Sequence, residues 1–312
     1  MNHNINGIHH ITAIAGNPQS NYNFYVKNLG LRFIKKTVNF DDPYTYHLYY
    51  GDEAGNPGTI LTFFPWLNAV KGKKGSGQIT TISFSILPSS IDFWMNRLRE
   101  LNIETTGPFK RFNEDVIIFY DEDEFELELV ASLNEKRKGW ANGDIPVEHS
   151  IKGFYGVTTS LTEYSQTQKL LTEVMGFKKI SEEQNRIRFE SNDAGPSSYY
   201  DILHLPGNIH GRMGIGAVHH IAWRTHNDET QSAVRNNLLS FDMHVTPIVD
   251  RNYFHSIYFR EPGNVLFEVA TDPPGFTVDE PLEQLGRQLK LPSWYENDRQ
   301  SIEKALPQLI TE

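Results

Sequence analysis

The sequence predicts an α+β protein built from four copies of one βαβββ module. Apolar, strand-like segments begin at similar intervals along the chain, near Ile8, Ile79, Phe154 and Ala217. The three intervals are 71, 75 and 63 residues long. A polar segment with helix-start residues follows each of these strands, and each copy ends on another apolar strand. Repetition at a near-constant interval is typical of a duplicated architecture, and 312 residues are enough to form two domains.

One helix is predicted in each copy, directly after its first strand. The four helices are expected at 17–30, 89–102, 162–176 and 227–241. They open with Asn, Ser or Thr, whose side chains accept hydrogen bonds from the free amides of a first helical turn. Gly30 and Gly176 suit the end of a helix, Asn102 suits it less well, and the fourth copy has no such residue.

The closing strands complete the modules and define the expected domains. They are predicted at 59–66, 124–131, 199–206 and 264–271. Between the second and third copies the chain is rich in charge and contains Gly139, Gly143 and Pro146, which favours a linker. We therefore predict a first pair of modules at 1–135, a linker at 136–152, a second pair at 153–273 and a helical tail at 274–312.

Composition restricts the classes of function. The formal net charge of -10 disfavours a nucleic-acid partner, which would need clustered Lys and Arg. No apolar run approaches the ~20 residues of a membrane span, and no secretory signal is visible, so we expect a cytoplasmic protein without membrane contact. The chain has no cysteine, which excludes disulfides, thiolate ligands and a cysteine nucleophile. Any bound metal must therefore have nitrogen and oxygen ligands.

Two histidine pairs stand at the head of modules 1 and 4, in GIHHITA and AVHHIAW. Histidine is a common metal ligand. Successive side chains of a strand point to opposite faces, so only one histidine of each pair is expected to face a shared site. We take the second of each pair, His10 and His220, as the ligands. The alternative is that both pairs are ordinary hydrogen-bonded strand histidines.

Glu268 is the third candidate ligand. It lies in the apolar closing strand of the fourth module, where a charge is costly unless it is paired or bound to a metal. The first closing strand has no carboxylate. The second offers Glu128 and the third offers Asp201 or His204, but modules 2 and 3 have no histidine at the head of their first strand. Together, two histidines and one carboxylate form a face that leaves three positions open on Fe(II). The alternative is a Glu268 that faces solvent.

The order and number of these modules resemble the vicinal oxygen chelate superfamily, which includes glyoxalases, bleomycin-resistance proteins and extradiol dioxygenases. The resemblance covers residues 5–273 and implies two domains with open, cup-like sheets. The segment VDRNYFHSIYFREPGNVLFEVATDPPGF, with IHHIT and VHHIAW, is similar to the hydroquinone-type ring-cleaving dioxygenases, the MhqO-like group. In that group the first and last modules hold the metal, which implies the ligands His10, His220 and Glu268.

The resemblance also implies catalytic roles for His9, His219, Arg251 and Tyr258. Tyr258 would hydrogen-bond an oxygen of the reacting complex, and Arg251 would stabilise a negative charge. By strand alternation His9 and His219 point away from the metal, so they are expected to brace their neighbours. The alternatives are that Tyr258 is core packing and Arg251 a surface cation.

The implied activity is an Fe(II)-dependent, extradiol-type dioxygenase that opens the ring of hydroquinones, with O2 and a small aromatic substrate as partners. Mn(II) is the alternative metal, and a homo-oligomer is an open alternative. A glyoxalase-type metal-dependent isomerase or thiol transferase would be expected to have more carboxylate ligands, and a binding protein would be expected to lose its ligands. Ring contacts are expected from Trp223, Phe254 and Phe267, if these are not core. No role is assigned to four further histidines, His47, His210, His244 and His255.

Overall fold

The computed structural model describes residues 5–311 and contains sixteen strands in four modules, at 8–65, 78–131, 154–204 and 217–274. In modules 1 and 2 the strands are β1 (Ile8–Ala15), β2 (Arg32–Asn39), β3 (Asp42–Gly51), β4 (Ile60–Pro65), β5 (Gln78–Ile86), β6 (Thr105–Arg111), β7 (Glu114–Tyr120) and β8 (Glu126–Ala131). In modules 3 and 4 they are β9 (Phe154–Leu161), β10 (Lys178–Glu183), β11 (Arg186–Glu190), β12 (Tyr199–His204), β13 (Ala217–Thr225), β14 (Val249–Asp250), β15 (Phe254–Arg260) and β16 (Leu266–Pro274).

These strands form two curled, eight-stranded sheets, which confirms the predicted α+β fold with glyoxalase-type domains. The first sheet has the order β14-β15-β16-β13-β1-β4-β3-β2, so it joins module 1 to module 4. The second has the order β10-β11-β12-β9-β5-β8-β7-β6 and joins modules 2 and 3. Each sheet thus combines one module that precedes residues 136–152 in the chain with one module that follows them. The domain boundaries given above stay a prediction.

In each sheet the first strands of the two modules are paired at the centre. β1 runs antiparallel to β13, and β5 runs antiparallel to β9. Each closing strand then runs parallel to the first strand of its own module, as β4 does to β1 and β16 to β13. This arrangement places the heads of modules 1 and 4, with both histidine pairs, on adjacent strands.

The helices lie where the sequence predicts them. They are α1 (Pro18–Tyr22, continued by a π-helix, Asn23–Asn28), α2 (Ile91–Glu100), α3 (Ser165–Lys169, continued by a π-helix, Leu170–Val174), α4 (Asp228–Ser240) and α5 (Arg299–Ala305). The side chain of Asn17 caps α1, and Asn227 forms a capping box with Thr230 at α4. After α4 the chain turns at Asp242, whose φ of 62° lies in the left-handed region that aspartate tolerates. No helix within 5–311 is long and apolar enough to span a membrane.

Two groups of buried apolar side chains differ in their position relative to the first sheet. The main core contains Trp223 and Phe267, two of the three expected ring contacts. A smaller cluster contains Phe254 and Tyr49, which also line a cavity on the concave face of the first sheet. Of the three expected ring contacts, Phe254 alone faces that cavity, because Trp223 and Phe267 point to the opposite side of their strands.

The segment after β16 closes one side of this smaller cluster. Phe276 packs edge to face on Tyr49, with 5.1 Å between the ring centroids. The segment is attached to β2 through Lys35, a fully buried lysine whose Nζ lies 2.6 Å from Asp279 and 2.5 Å from Glu280. A buried cation with two carboxylates fixes the segment in one position against the sheet.

Candidate metal centre

His10, His220 and Glu268 lie together at the centre of the concave face of the first sheet. They are carried by the adjacent strands β1, β13 and β16. The Nε2 atoms of the two histidines are 3.3 Å apart, and Oε2 of Glu268 lies 3.4 Å from His10 Nε2 and 3.0 Å from His220 Nε2. Within 5–311 this is the single group of three histidine or carboxylate side chains close enough to share a metal ion.

The electrostatics of the group suit a divalent cation. Burial opposes ionisation of Glu268, but the adjacent His10 and His220 hold its pKa well below the usual range, so it is a carboxylate. Burial also lowers the pKa of His220, against the attraction of Glu268. One carboxylate oxygen accepts a hydrogen bond from the Ser256 hydroxyl, whereas Oε2 is buried and accepts none. A buried carboxylate oxygen without a donor is costly unless a cation binds it.

The first histidine of each pair contacts the second. The Nδ1 atoms of His9 and His10 are 2.9 Å apart, and those of His219 and His220 are 2.8 Å apart. Burial and the adjacent histidine lower the pKa of both His9 and His219 to about 3, so both are neutral near pH 7. A neutral His9 can accept the Nδ1 proton of His10, which leaves the Nε2 lone pair directed at the centre of the group. His9 and His219 thus contact the candidate ligands, and their bracing role stays a prediction. His219 also lines the cavity on the concave face, although alternation along the strand would place it on the side opposite His220.

A cavity of about 420 Å³ opens from this group, which suits a small ligand. Its walls are largely aromatic and apolar, with contributions from Phe40, Phe64, Trp66, Phe254 and Leu266. The ring of Phe254 also packs against the ring of His10, 4.8 Å between centroids. The cavity therefore presents flat apolar surfaces next to the candidate ligands.

Arg251 and Tyr258 lie in the same cavity. Tyr258 is on β15, directly opposite Glu268 on β16, and Arg251 Nε donates to its hydroxyl at 3.1 Å. Burial and the charge of Glu268 raise the pKa of Tyr258, so it remains a phenol. Arg251 also contacts Asp41, 3.3 Å away, in the β2–β3 turn of module 1. The cavity is thus enclosed by side chains from both modules of the sheet.

Sequence reasoning missed the contribution of β3. His47, to which no role was assigned, and Tyr49 both line the cavity. His47 Nδ1 lies 2.8 Å from the Tyr49 hydroxyl, and its Nε2 lies 2.8 Å from Thr62 Oγ1. Burial and the nearby His10 and His220 lower the pKa of His47 well below its usual value. The alternation in HLY was the available signal, since it puts both polar rings on one face of a strand.

In the second sheet the corresponding carboxylates bind arginines. Glu128 accepts Arg111 Nη1 on both oxygens at 2.8 Å, and Asp201 accepts Arg188 Nε at 2.8 Å. His204 does not join them, because its Nε2 lies 3.2 Å from the carbonyl of Thr162. Buried carboxylates need a compensating positive charge, and in this sheet guanidinium groups supply it.

Comparison with known proteins agrees with this architecture. The model of the glyoxalase/bleomycin resistance protein/dioxygenase superfamily matches residues 7–129. MhqO of Bacillus subtilis, named as a ring-cleaving dioxygenase, is 45% identical over 300 residues, covering 96% of this chain and 95% of that protein. The chlorohydroquinone/hydroquinone 1,2-dioxygenase of Sphingobium indicum is 31% identical over 302 residues, covering 92% and 91% of the two chains.

Solved structures agree as well. A crystal structure of a Bacillus subtilis protein, named as a dioxygenase, has a TM-score of 0.95 and 43% identity, with 99% of each chain covered. Glyoxalase I of Zea mays has a TM-score of 0.65 at 11% identity, with 85% of this chain and 92% of that chain covered, which shows the fold alone. Given these identities over almost the whole length, the chain belongs to the glyoxalase/bleomycin resistance protein/dioxygenase superfamily and, within it, to the family of ring-cleaving dioxygenases that includes MhqO.

Proposed function

We propose that this protein is an Fe(II)-dependent, extradiol-type dioxygenase that opens the aromatic ring of hydroquinones. The observation that carries the proposal is the buried group of His10, His220 and Glu268 at the end of an aromatic-lined cavity. The relative named as a chlorohydroquinone/hydroquinone 1,2-dioxygenase supports the choice of substrate class. Addition of both atoms of O2, with cleavage of the ring beside a hydroxyl-bearing carbon, would yield a carboxylic acid and an aldehyde.

The proposed ligands are His10 and His220, each through Nε2, and Glu268 through its unpartnered Oε2. When bound, Fe(II) would supply the Lewis acidity and the redox capacity that bring a phenol and O2 into reaction. The same two nitrogens and one oxygen suit Mn(II), which is the alternative metal. His9 and His219 would keep each ligand histidine in the tautomer that directs Nε2 at the metal.

The remaining side chains would bind and orient the substrate. Phe64, Trp66 and Phe254 exclude water from the faces of a bound ring. Arg251 would stabilise the negative charge of a phenolate, since its guanidinium faces the cavity. Tyr258 is held as a phenol opposite Glu268 and would donate its hydrogen bond to an oxygen of the reacting complex.

The test is oxygen uptake by protein reconstituted anaerobically with Fe(II). We expect uptake with hydroquinone and methylhydroquinone, with one O2 consumed for each ring opened. Uptake with catechol alone would contradict the substrate class. An absence of uptake with all three, together with tight Zn(II) binding and turnover of a hemithioacetal, would instead identify a glyoxalase-type isomerase.

A further inference from the structure

The two modules of the first sheet place corresponding residues around the candidate metal centre. In module 4, Glu268 on β16 pairs with Ala222, which lies two residues after the ligand histidine of β13. In module 1, Thr62 on β4 pairs with Thr12, which lies two residues after the ligand histidine of β1. The register is the same in both modules. Thr62 therefore occupies in module 1 the position that Glu268 occupies in module 4.

The adjacent strands repeat this correspondence. Tyr258 on β15 pairs with Glu268, and Tyr49 on β3 pairs with Thr62. Both tyrosines line the cavity. Modules 1 and 4 thus each place a tyrosine next to the corresponding position. That position is a threonine in module 1 and a glutamate in module 4.

Each of the two positions is also hydrogen-bonded to the residue at the same place on the neighbouring strand. The donor to Glu268 is the hydroxyl of Ser256, two residues before Tyr258. The partner of Thr62 is Nε2 of His47, 2.8 Å from Oγ1 and two residues before the corresponding tyrosine. A serine that holds the carboxylate of Glu268 in place is therefore matched by a histidine that binds the threonine.

The hydroxyl of Thr62 is bound to two side chains of the first sheet. Its side chain is fully buried, and Oγ1 lies 2.8 Å from both Thr12 Oγ1 and His47 Nε2. It is also uncharged and shorter than glutamate. The cavity wall on this side consists of the His47 ring and of Tyr49, whose hydroxyl lies 2.8 Å from His47 Nδ1.

We propose that Thr62 stands at the position of a fourth protein ligand, and that threonine there leaves this side of the metal open for the substrate hydroxyl, which His47 and Tyr49 orient. The inference rests on the proposed function, because it assigns a place to the aromatic substrate. A divalent ion with one carboxylate keeps a net positive charge and attracts a phenolate, whereas a second carboxylate would cancel that charge and fill the open position.

The test uses Mn(II) alone and requires no turnover. In Thr62→Glu the new carboxylate should bind the ion, so we expect Mn(II) affinity to rise by about tenfold or more. Water proton relaxation by the bound Mn(II) should fall, because one water position is lost. Thr62→Gln is the matched control, similar in size but neutral, and Thr62→Asp is the second variant if Thr62→Glu does not fold. Wild-type affinity and relaxation in a folded Thr62→Glu or Thr62→Asp protein would overturn the proposal.

Thr62→Val tests whether His47 orients the substrate. Valine keeps the size of the side chain and removes the hydrogen bond to His47 Nε2. We expect KM for hydroquinone to rise by about tenfold with little change in kcat or in Mn(II) affinity. An unchanged KM would overturn the orienting role of His47. Failure of the proposed function is distinct, because the wild-type protein loaded with Fe(II) would then take up no O2 with hydroquinone, whatever the Mn(II) affinities of the Thr62 variants.

Discussion

Oε2 of Glu268 lies 3.0 Å from Nε2 of His220, yet this buried oxygen accepts no hydrogen bond. Its partner oxygen is bound by Ser256, so the carboxylate is held on one side and unsatisfied on the other. An unsatisfied buried carboxylate oxygen beside two imidazole nitrogens would be costly in a structural site. The same arrangement is favourable once a divalent cation lies among the three atoms.

Replacement of Glu268 by glutamine should therefore abolish iron retention. The amide has the shape of the carboxylate but no charge, and we expect at least about a 100-fold loss of Fe(II) affinity. Metal content after anaerobic reconstitution and gel filtration is the measurement. Ser256→Ala is a useful comparison, because it removes the support of the carboxylate and should cost about tenfold. A normal iron content in Glu268→Gln would refute this ligand.

Replacement of Tyr258 by phenylalanine should lower kcat and leave KM almost unchanged. The phenol would act on an oxygen of the reacting complex, and loss of such a proton donor costs about 10²- to 10⁴-fold. Steady-state oxygen uptake with hydroquinone checks this. Tyr46→Phe on β3 is the matched control, since its hydroxyl binds the carbonyl of Pro307 and not the cavity. A kcat within about twofold of the wild type would exclude the role.

The metal-free protein should lose stability as the pH falls below about 6.5. In the folded protein burial lowers the pKa of His9 and of His219 to about 3, whereas in the unfolded chain both have the ordinary value near 6.5. Between these values the unfolded state binds more protons. Each histidine should therefore reduce the free energy of unfolding by about 1.4 kcal/mol for every pH unit of acidification.

Urea unfolding at pH 7.5, 6.0 and 5.0 measures this loss. His219→Gln removes one of the two titrating groups and should give a shallower pH dependence. Equal stability at all three pH values would show that the pKa values of these histidines do not differ between the folded and unfolded states.

Replacement of Lys35 by methionine should destabilise the protein by about 3–5 kcal/mol, because it leaves Asp279 and Glu280 without their buried cation. Thermal unfolding is the measurement, with Lys36→Met as a control at a half-buried position on the same strand. The two variants should have clearly different Tm values. Equal values would mean that the segment after β16 is held by its apolar contacts, such as that of Phe276 with Tyr49.

Local pattern was enough to predict the modules and to select the three residues that cluster. The four helices and the closing strands follow from capping residues and apolar runs, which act over a few residues. Alternation along a strand separates His10 from His9, whereas His219 lines the cavity together with His220. The same rule places Trp223 and Phe267 on the face opposite His220 and Glu268, so alternation was a sufficient signal to exclude both as ring contacts.

The sequence by itself determined the repeated module, the histidine at the head of modules 1 and 4, and the carboxylate that joins them. Only the tertiary structure decided that β1 pairs with β13, that His47 and Tyr49 of β3 reach the same cavity as Tyr258, and that Thr62 corresponds to Glu268. The physical reason is the distance along the chain over which each interaction acts. Capping and alternation are properties of neighbouring residues, whereas the pairing of strands some 200 residues apart depends on the packing of the whole chain, which no short segment encodes.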